Sequence, residues 1–215
     1  MKKRADAKAN RTSEVASVSR RDLLAGTAAT IACAFLPASS LALAKPSDSS
    51  LVLTSTERHA LEAMVSRIIP ADVNGPGALE AGCARYIESA LAGAYKDLRP
   101  TYSSGLAALD AAAYSRARNN FAGLPATEQD QLLSEFEQKK LAAYTESAAF
   151  FEMVRRHTLE GMFGDPSYGG NLNFAGWDLI GYPGPRMLVS PNMQKMDAKI
   201  PRSRISAKQV MHGSR

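Results

Sequence analysis

The sequence has little cysteine and few of the residues that build active sites. Its 215 residues include two cysteines, Cys33 and Cys83, which excludes a disulfide-stapled scaffold and a zinc or iron–sulfur site built from cysteines. The motifs G-x-S-x-G, H-E-x-x-H, C-x-x-C and the P-loop are absent, and there are only three histidines. The sequence therefore shows no evident active site of its own.

The central part of the chain, residues 45–185, carries no excess of positive charge. The net charge of +5 and the pI near 9.3 come from the two ends: residues 1–44 carry seven basic and three acidic side chains, and residues 186–215 carry seven and one. Residues 45–185 are acidic, with 12 basic against 17 acidic side chains. Nucleic-acid binding requires a basic face on the folded domain, so this charge distribution argues against it.

The first 44 residues have the organisation of an export signal. A basic stretch is followed by Ser19-Arg20-Arg21-Asp22-Leu23-Leu24, an uncharged segment from Leu23 to Ala44, and the small-x-small site Ala42-Leu43-Ala44. The S-R-R-x-L-L match predicts a twin-arginine (Tat) signal peptide with Arg20 and Arg21 as the paired arginines. The Tat route carries folded proteins, often with a cofactor or a partner attached.

Two questions about this leader stay open at the sequence level. The Ala-rich stretch, which contains Gly26 and Pro37, favours cleavage after Ala44, although about 20 apolar residues are also enough for a membrane anchor. Cleavage would remove Cys33 and leave Cys83 as the single cysteine in an oxidising compartment. Cys83 is then either a buried small hydrophobic residue or half of an intersubunit disulfide.

After the leader, residues 45–53 are predicted to form a linker. Residues 54–185 are predicted to form one all-α domain, a bundle of about five helices. Thr54 and Glu57 form a capping box before an apolar stripe that Pro70 ends. A capping pair of Thr127 and Asp130 is expected to open the fourth helix. The first three helices are predicted at residues 54–69, about 78–91 and about 102–121. The fourth is predicted to start at residue 127, and the fifth to cover about 146–162. Residues 186–215 are predicted to form an extended basic tail.

A glycine-, proline- and aromatic-rich stretch follows the last predicted helix. We call Gly164–Pro185 the signature segment; it contains the only tryptophan of the chain, Trp177. Long irregular segments in compact domains are often functional, and aromatic side chains on such a segment are good anchors for a partner. The alternative is that Trp177 and Phe174 close the end of the bundle.

His157 and Glu160 have metal-ligating side chains at i, i+3 spacing, which places both on one face of the fifth helix, as in iron-binding bundles. Such sites need a second pair and further carboxylates facing the same interior. The other His–Glu pair at this spacing is His59 and Glu62, and His59 lies on the polar side of the first helix. A structural His–Glu hydrogen bond or a helix-end interaction is therefore the favoured interpretation. A stand-alone, Tat-exported periplasmic protein with a metal at this pair is the alternative function.

The signature segment resembles that of the gluconate 2-dehydrogenase subunit 3 family. The resemblance rests on Phe163-x-Asp165-Pro166-x-Tyr168-Gly169-Gly170-Asn171 and Gly176-Trp177-x-Leu179-Ile180-Gly181-Tyr182-Pro183-Gly184. Upstream, Ile68-Ile69-Pro70-Ala71-Asp72 and Gly77-Ala78-Leu79-Glu80-Ala81-Gly82 fit the same family. The resemblance covers nearly all of residues 54–185 and leaves out the basic tail.

The resemblance implies the role of a non-catalytic small subunit. Such subunits accompany FAD-dependent dehydrogenases of sugars, polyols or sugar acids, whose large subunit holds the flavin, and a multihaem cytochrome c subunit often accepts the electrons. We therefore expect no cofactor in this chain, FAD in a partner, export of that partner through the Tat translocase, and a periplasmic, membrane-associated complex. The expected partner interface consists of Asp165, Pro166, Tyr168, Gly169, Gly170, Asn171, Trp177, Tyr182 and Pro183.

Overall fold

The computed structural model describes residues 52–212, which lie within one compact unit. Within this range the fold is all-α, as predicted, with no β-strand and a single isolated bridge between Asp72 and Gly75. The helices are α1 (Ser55–Ile68), α2 (Cys83–Ala92), α3 (Arg99–Ala117), α4 (Ala126–Glu137), α5 (Ser147–Phe163), α6 (Ala175–Leu179) and α7 (Ala207–His212). Short 3-10 turns lie at Lys96–Leu98, Phe121–Gly123, Pro166–Tyr168, Leu172–Phe174 and Pro191–Gln194. No helix of residues 52–212 has both the length and the apolar composition that a membrane span requires.

Helix α1 has the predicted bounds because its signals are local. Glu57 N–H donates to Thr54 Oγ1 (3.2 Å) and Thr54 N–H donates to Glu57 Oε2 (2.8 Å), which completes the capping box. The helix ends just before Pro70. Leu53, predicted to be the last linker residue, is buried, so the domain begins slightly earlier than expected.

Helices α2 and α3 depart from the predicted bounds at their ends. Residues 78–82, predicted as the start of α2, form a turn instead, because Gly82 adopts the left-handed conformation (φ +75°). Helix α3 starts three residues early, since Pro100 is compatible with a first helical turn, and it stops at Ala117, where Arg118 has φ +54°.

The predicted cap of α4 is wrong. Pro125 is the N-cap residue, and no side chain caps the helix. The carboxylate of Asp130 instead accepts two hydrogen bonds from Arg67 of α1, at 2.6 and 2.7 Å. A tertiary ion pair therefore replaces the local cap.

Helix α5 is central to the packing and matches its predicted range within one residue. It contacts α1, α2, α3 and α4, and its buried face carries Phe150, Val154, His157 and Met162. The core is completed by large side chains from the other helices, including Leu61, Met64, Ile87, Tyr102, Leu106, Leu109, Leu132 and Phe136. Because α5 ends at Phe163, the signature segment starts at the end of the most enclosed helix.

Candidate partner-binding segment

The signature segment folds back over the carboxyl end of α5. The last carbonyls of a helix have no partner within the helix. Here the segment supplies donors: Asn171 N–H to Gly161 O (2.7 Å), Asn171 Nδ2 to Gly164 O (2.8 Å) and Trp177 Nε1 to Phe163 O (2.9 Å). The segment is therefore a structural terminator of α5 and is more ordered than the loop that its composition predicts.

Asn171 is the central residue of this arrangement. It is fully buried and has a left-handed backbone (φ +47°). Besides the two bonds above, its Oδ1 accepts from Gly176 N–H at 2.9 Å. Asn tolerates the left-handed backbone region better than most residues. Its side-chain amide also supplies both the donor and the acceptor that this position requires.

Two glycines of the segment allow close approach to α5. A Cβ at Gly170 would overlap Gly161 O, and a Cβ at Gly176 would overlap Met162 O. Gly161 itself lies against α2, where a Cβ would come within 3.1 Å of Cys83 Cα. We call the packed region of α2, the end of α5 and Gly170–Trp177 the joint.

The structure divides the predicted interface residues between the inside and the outside of the domain. Gly170, Asn171 and Trp177 are buried, Asp165, Pro166, Gly169 and Pro183 are half-buried, and Tyr168 and Tyr182 are exposed. The indole of Trp177 is only 6% exposed and packs edge-on against the Tyr182 ring at 4.9 Å between centroids. Trp177 therefore closes the end of the bundle, which leaves Tyr168 and Tyr182 as the aromatic side chains available to a partner.

The basic tail returns to the acidic residues of the signature segment. Asp178 forms ion pairs with Arg202 (3.4 Å) and Arg204, and Asp165 Oδ2 accepts from Ala207 N–H. Burial opposes the charge of Asp165, but hydrogen bonds from Ala207 and Ser167 keep its pKa below the ordinary value. The described part of the tail contains the 3-10 turn Pro191–Gln194 and helix α7, and residues 202–207 attach it to the domain. Asp178 and Arg204 were not among the predicted site residues, although their opposite charges were the available signal.

His157 lies in an aromatic cluster behind the signature segment. It is buried, its Nδ1 is 2.8 Å from Tyr102 Oη, and its ring stacks on Tyr95 at 4.5 Å between centroids. Burial lowers the pKa of His157 below its ordinary value. The neutral imidazole thus has a structural partner.

Glu160 is held by hydrogen bonds from two tyrosines. Its Oε2 accepts from Tyr86 (3.1 Å) and Tyr95 (3.0 Å). Burial and then the Glu160 carboxylate raise the pKa of Tyr86, whereas for Tyr95 the hydrogen bond to Glu160 is the main cause of a raised pKa. In the part of the chain that the structure describes, no three His, Cys, Asp or Glu side chains are grouped as metal ligands. The expected direct His–Glu hydrogen bond is therefore replaced by separate bonds to tyrosines.

Cys83 lies at the start of α2 within the core. It is fully buried, and burial raises the pKa of its thiol to about 12. A bridge to another subunit would require the joint to open, so the geometry favours the role of a core residue. The disulfide remains a prediction that non-reducing electrophoresis of the complex tests: a band enlarged by one subunit would support it, and co-migration with the reduced sample would contradict it.

The export residues Arg20, Arg21, Ala42 and Ala44 lie outside the described residues. The leader therefore stays a sequence prediction, and the described geometry concerns only the domain and its tail.

The fold and this segment together define a class: a small all-helical domain whose glycine- and aromatic-rich C-terminal segment terminates its central helix. The model of one family, gluconate 2-dehydrogenase subunit 3, matches residues 55–184 of the chain. The chain belongs to this family, whose name is that of a subunit of a dehydrogenase complex. No curated protein and no solved structure matches the chain. The match ends at Gly184, so the tail lies outside it.

Proposed function

We propose that this chain is the non-catalytic small subunit of a periplasmic, membrane-associated, FAD-dependent dehydrogenase of sugars, polyols or sugar acids. The family match over residues 55–184 carries the proposal, because it describes a dehydrogenase subunit. In this proposal the large subunit holds FAD and performs the oxidation. Where the complex includes a cytochrome c subunit, that subunit accepts the electrons. The small subunit assembles with the large subunit in the cytoplasm and carries it through the Tat translocase.

The paired arginines of the leader support the carrier role. Ser19-Arg20-Arg21-Asp22-Leu23-Leu24 matches the export motif of a pathway that transports folded proteins. A flavoprotein must bind FAD before it leaves the cytoplasm, so a folded-protein route suits it. A small subunit with such a leader would supply export to a large subunit that lacks one.

The carrier role is tested by Arg20→Lys with Arg21→Lys in cells that express all subunits. We expect flavin-linked dehydrogenase activity to move from the periplasmic and membrane fractions to the cytoplasm. The matched control is Arg4→Lys with Arg11→Lys, which makes the same chemical change in the leader and leaves the motif intact. Flavoprotein that still reaches the periplasm in the Arg20/Arg21 variant would contradict the carrier role.

The subunit role is tested separately by tagged purification from membranes and periplasm. We expect a larger chain with flavin absorbance to co-purify and to carry the dehydrogenase activity. The chain produced alone should be colourless and inactive. Recovery of this chain alone from cells that contain the large subunit would contradict the proposal.

A further inference from the structure

The first part of the tail displays apolar side chains to solvent. We call Arg186–Ile200 the arm loop. Met187, Leu188 and Val189 are consecutive and all exposed, with Leu188 87% exposed, and Met196 is fully exposed. Because all three consecutive side chains are exposed, the run does not pack on the domain. Contiguous exposed apolar surface of this kind marks interaction sites.

The base of the arm loop is closed by specific contacts, which we call the neck. Ser203 N–H donates to Pro183 O at 2.8 Å, and the Arg186 guanidinium donates to Pro201 O. The ion pairs of Asp178 with Arg202 and Arg204 lie beside them. Compact loops whose ends are held together are frequently functional. The neck therefore presents the apolar run from a defined place next to Tyr182.

The backbone of the apolar run is also available to a partner. In the described part of the chain, the N–H groups of Met187, Leu188 and Val189 make no hydrogen bond. A segment with free main-chain donors and consecutive apolar side chains can pair with the edge of a sheet in a partner, where main-chain bonds and side-chain pockets act together. This geometry favours a protein as the occupant.

The charges near the run indicate the rim of that groove. The arm loop has a positive net charge, because it contains three basic residues and one acidic residue: Arg186, Lys195, Lys199 and Asp197. A second copy of the arm loop would place like charges together. The loop lacks the tryptophan and tyrosine that anchor segments at a bilayer surface, and its modest net charge gives only weak attraction to anionic lipid. A carboxylate-rimmed apolar groove on another protein complements all of these features.

We propose that the arm loop is a docking segment that inserts as an extended strand into an apolar, carboxylate-rimmed groove of the large subunit. The identity of the partner rests on the proposed function; the surface itself rests on the described residues. The buried part of the signature segment then holds the domain together, and the arm loop beside it binds.

The first experiment compares two triple serine variants in the full complex. Met187→Ser, Leu188→Ser and Val189→Ser together should raise the Kd for the large subunit at least about tenfold, as expected for loss of a buried anchor. The matched control, Val73→Ser with Tyr114→Ser and Leu159→Ser, removes three exposed apolar side chains elsewhere. Both variants should unfold at the wild-type temperature. An unchanged Kd in the arm-loop variant would overturn the inference and leave the proposed function intact, whereas a wild-type chain that binds no flavoprotein would overturn both.

A photoreactive residue at position 188 identifies the occupant directly. A crosslink to the large subunit supports the inference. Crosslinks only to lipid, or only to a second copy of this chain, would overturn it in favour of a membrane contact or a homodimer. Absence of any crosslink within an intact complex would overturn it as well.

A further pair of variants tests the positive charge of the arm loop through its association rate with the large subunit. Lys195→Glu with Lys199→Glu should slow association with the large subunit at low salt, and the difference from wild type should shrink as salt is raised. The control is Lys139→Glu with Lys140→Glu, an equal charge change after α4. Equal association rates for the two variants would overturn the acidic rim.

Discussion

The signature segment and the arm loop are neighbours in the chain that use their apolar residues in opposite ways. In the signature segment, Trp177 and Asn171 are directed inward and satisfy the carbonyls at the end of α5. In the arm loop, Leu188 and Met196 are exposed to solvent. The comparison shows that Trp177 and Asn171, which lie within the family match, support the fold, whereas the exposed apolar run that we propose for docking lies in the tail, outside that match.

The largest effect should come from filling the joint at Gly176. Gly176→Ala places a Cβ against the backbone carbonyl of Met162, which cannot move without distorting α5. We expect a loss of about 3 kcal/mol in the free energy of unfolding, in the upper part of the range for overpacking. Denaturant unfolding measures it. Gly75→Ala, where a Cβ meets nothing within 4 Å, is the control, and equal stability of the two variants would contradict the close packing of the joint.

The next effect concerns the hydrogen bonds of Asn171. Asn171→Gly keeps the left-handed backbone accessible but removes the bonds to Gly164 O and Gly176 N–H. We expect a loss of about 2 kcal/mol, since buried polar groups lose their partners.

Asn173→Gly is the matched control for that experiment. Asn173 also has a positive φ (+55°), but its side chain is exposed. Glycine relieves the backbone in both variants, so the difference between them isolates the side-chain bonds of Asn171. If both variants unfold at the same denaturant concentration, Asn171 is not central to the joint.

A pH dependence of stability should come from His157. Its pKa in the folded protein lies below the unfolded value of about 6.5. At pH values between these two pKa values, the unfolded chain therefore binds more protons than the folded protein. Stability is therefore full above about pH 6.5 and falls as the pH drops toward the lowered folded-state pKa. His157→Gln should flatten this part of the profile of unfolding temperature against pH, and His59→Gln, an exposed control, should not. An unchanged slope in His157→Gln would contradict the neutral buried imidazole.

The smallest effect should be at the neck. Arg204→Gln removes one ion pair of Asp178 between exposed side chains, so we expect less than about 1 kcal/mol of domain stability to be lost. The same variant should increase protease cleavage between residues 186 and 200 at low salt, because the neck opens more often. Loss of stability comparable to that of Gly176→Ala would show that the tail belongs to the core, which would remove the contrast between the two regions.

The sequence predicted those parts of the fold whose signals are local. Thr54, Glu57 and Pro70 set the bounds of α1, and the apolar stripe of α5 gave its range. The start of α2 was wrong because Gly82 adopts the left-handed conformation, in a turn whose Ala81 O accepts a hydrogen bond from the distant Leu172 N–H. The cap of α4 was wrong because Asp130 pairs with a residue 63 positions away.

The same distinction applies to the candidate site. Composition indicated that the signature segment is special, but the roles of Gly170 and Gly176 depend on carbonyls of α5, and the direction of the Trp177 ring depends on Phe163. These contacts join distant positions, so spacing alone left two interpretations of Trp177 open. The exposure of Met187, Leu188 and Val189 was equally inaccessible, since an apolar triplet in a sequence is more often buried.

The closed neck separates the length and composition of the arm loop from the packing of the helices. Pro183 and Ser203 are joined by a backbone hydrogen bond, so the residues between them can lengthen, shorten or change without moving the helices. The entropic cost of such changes is low, about 0.6 kcal/mol for each doubling of loop length. Residues 186–200 can therefore be exchanged as one unit of about fifteen residues while the signature segment and the helices keep their contacts.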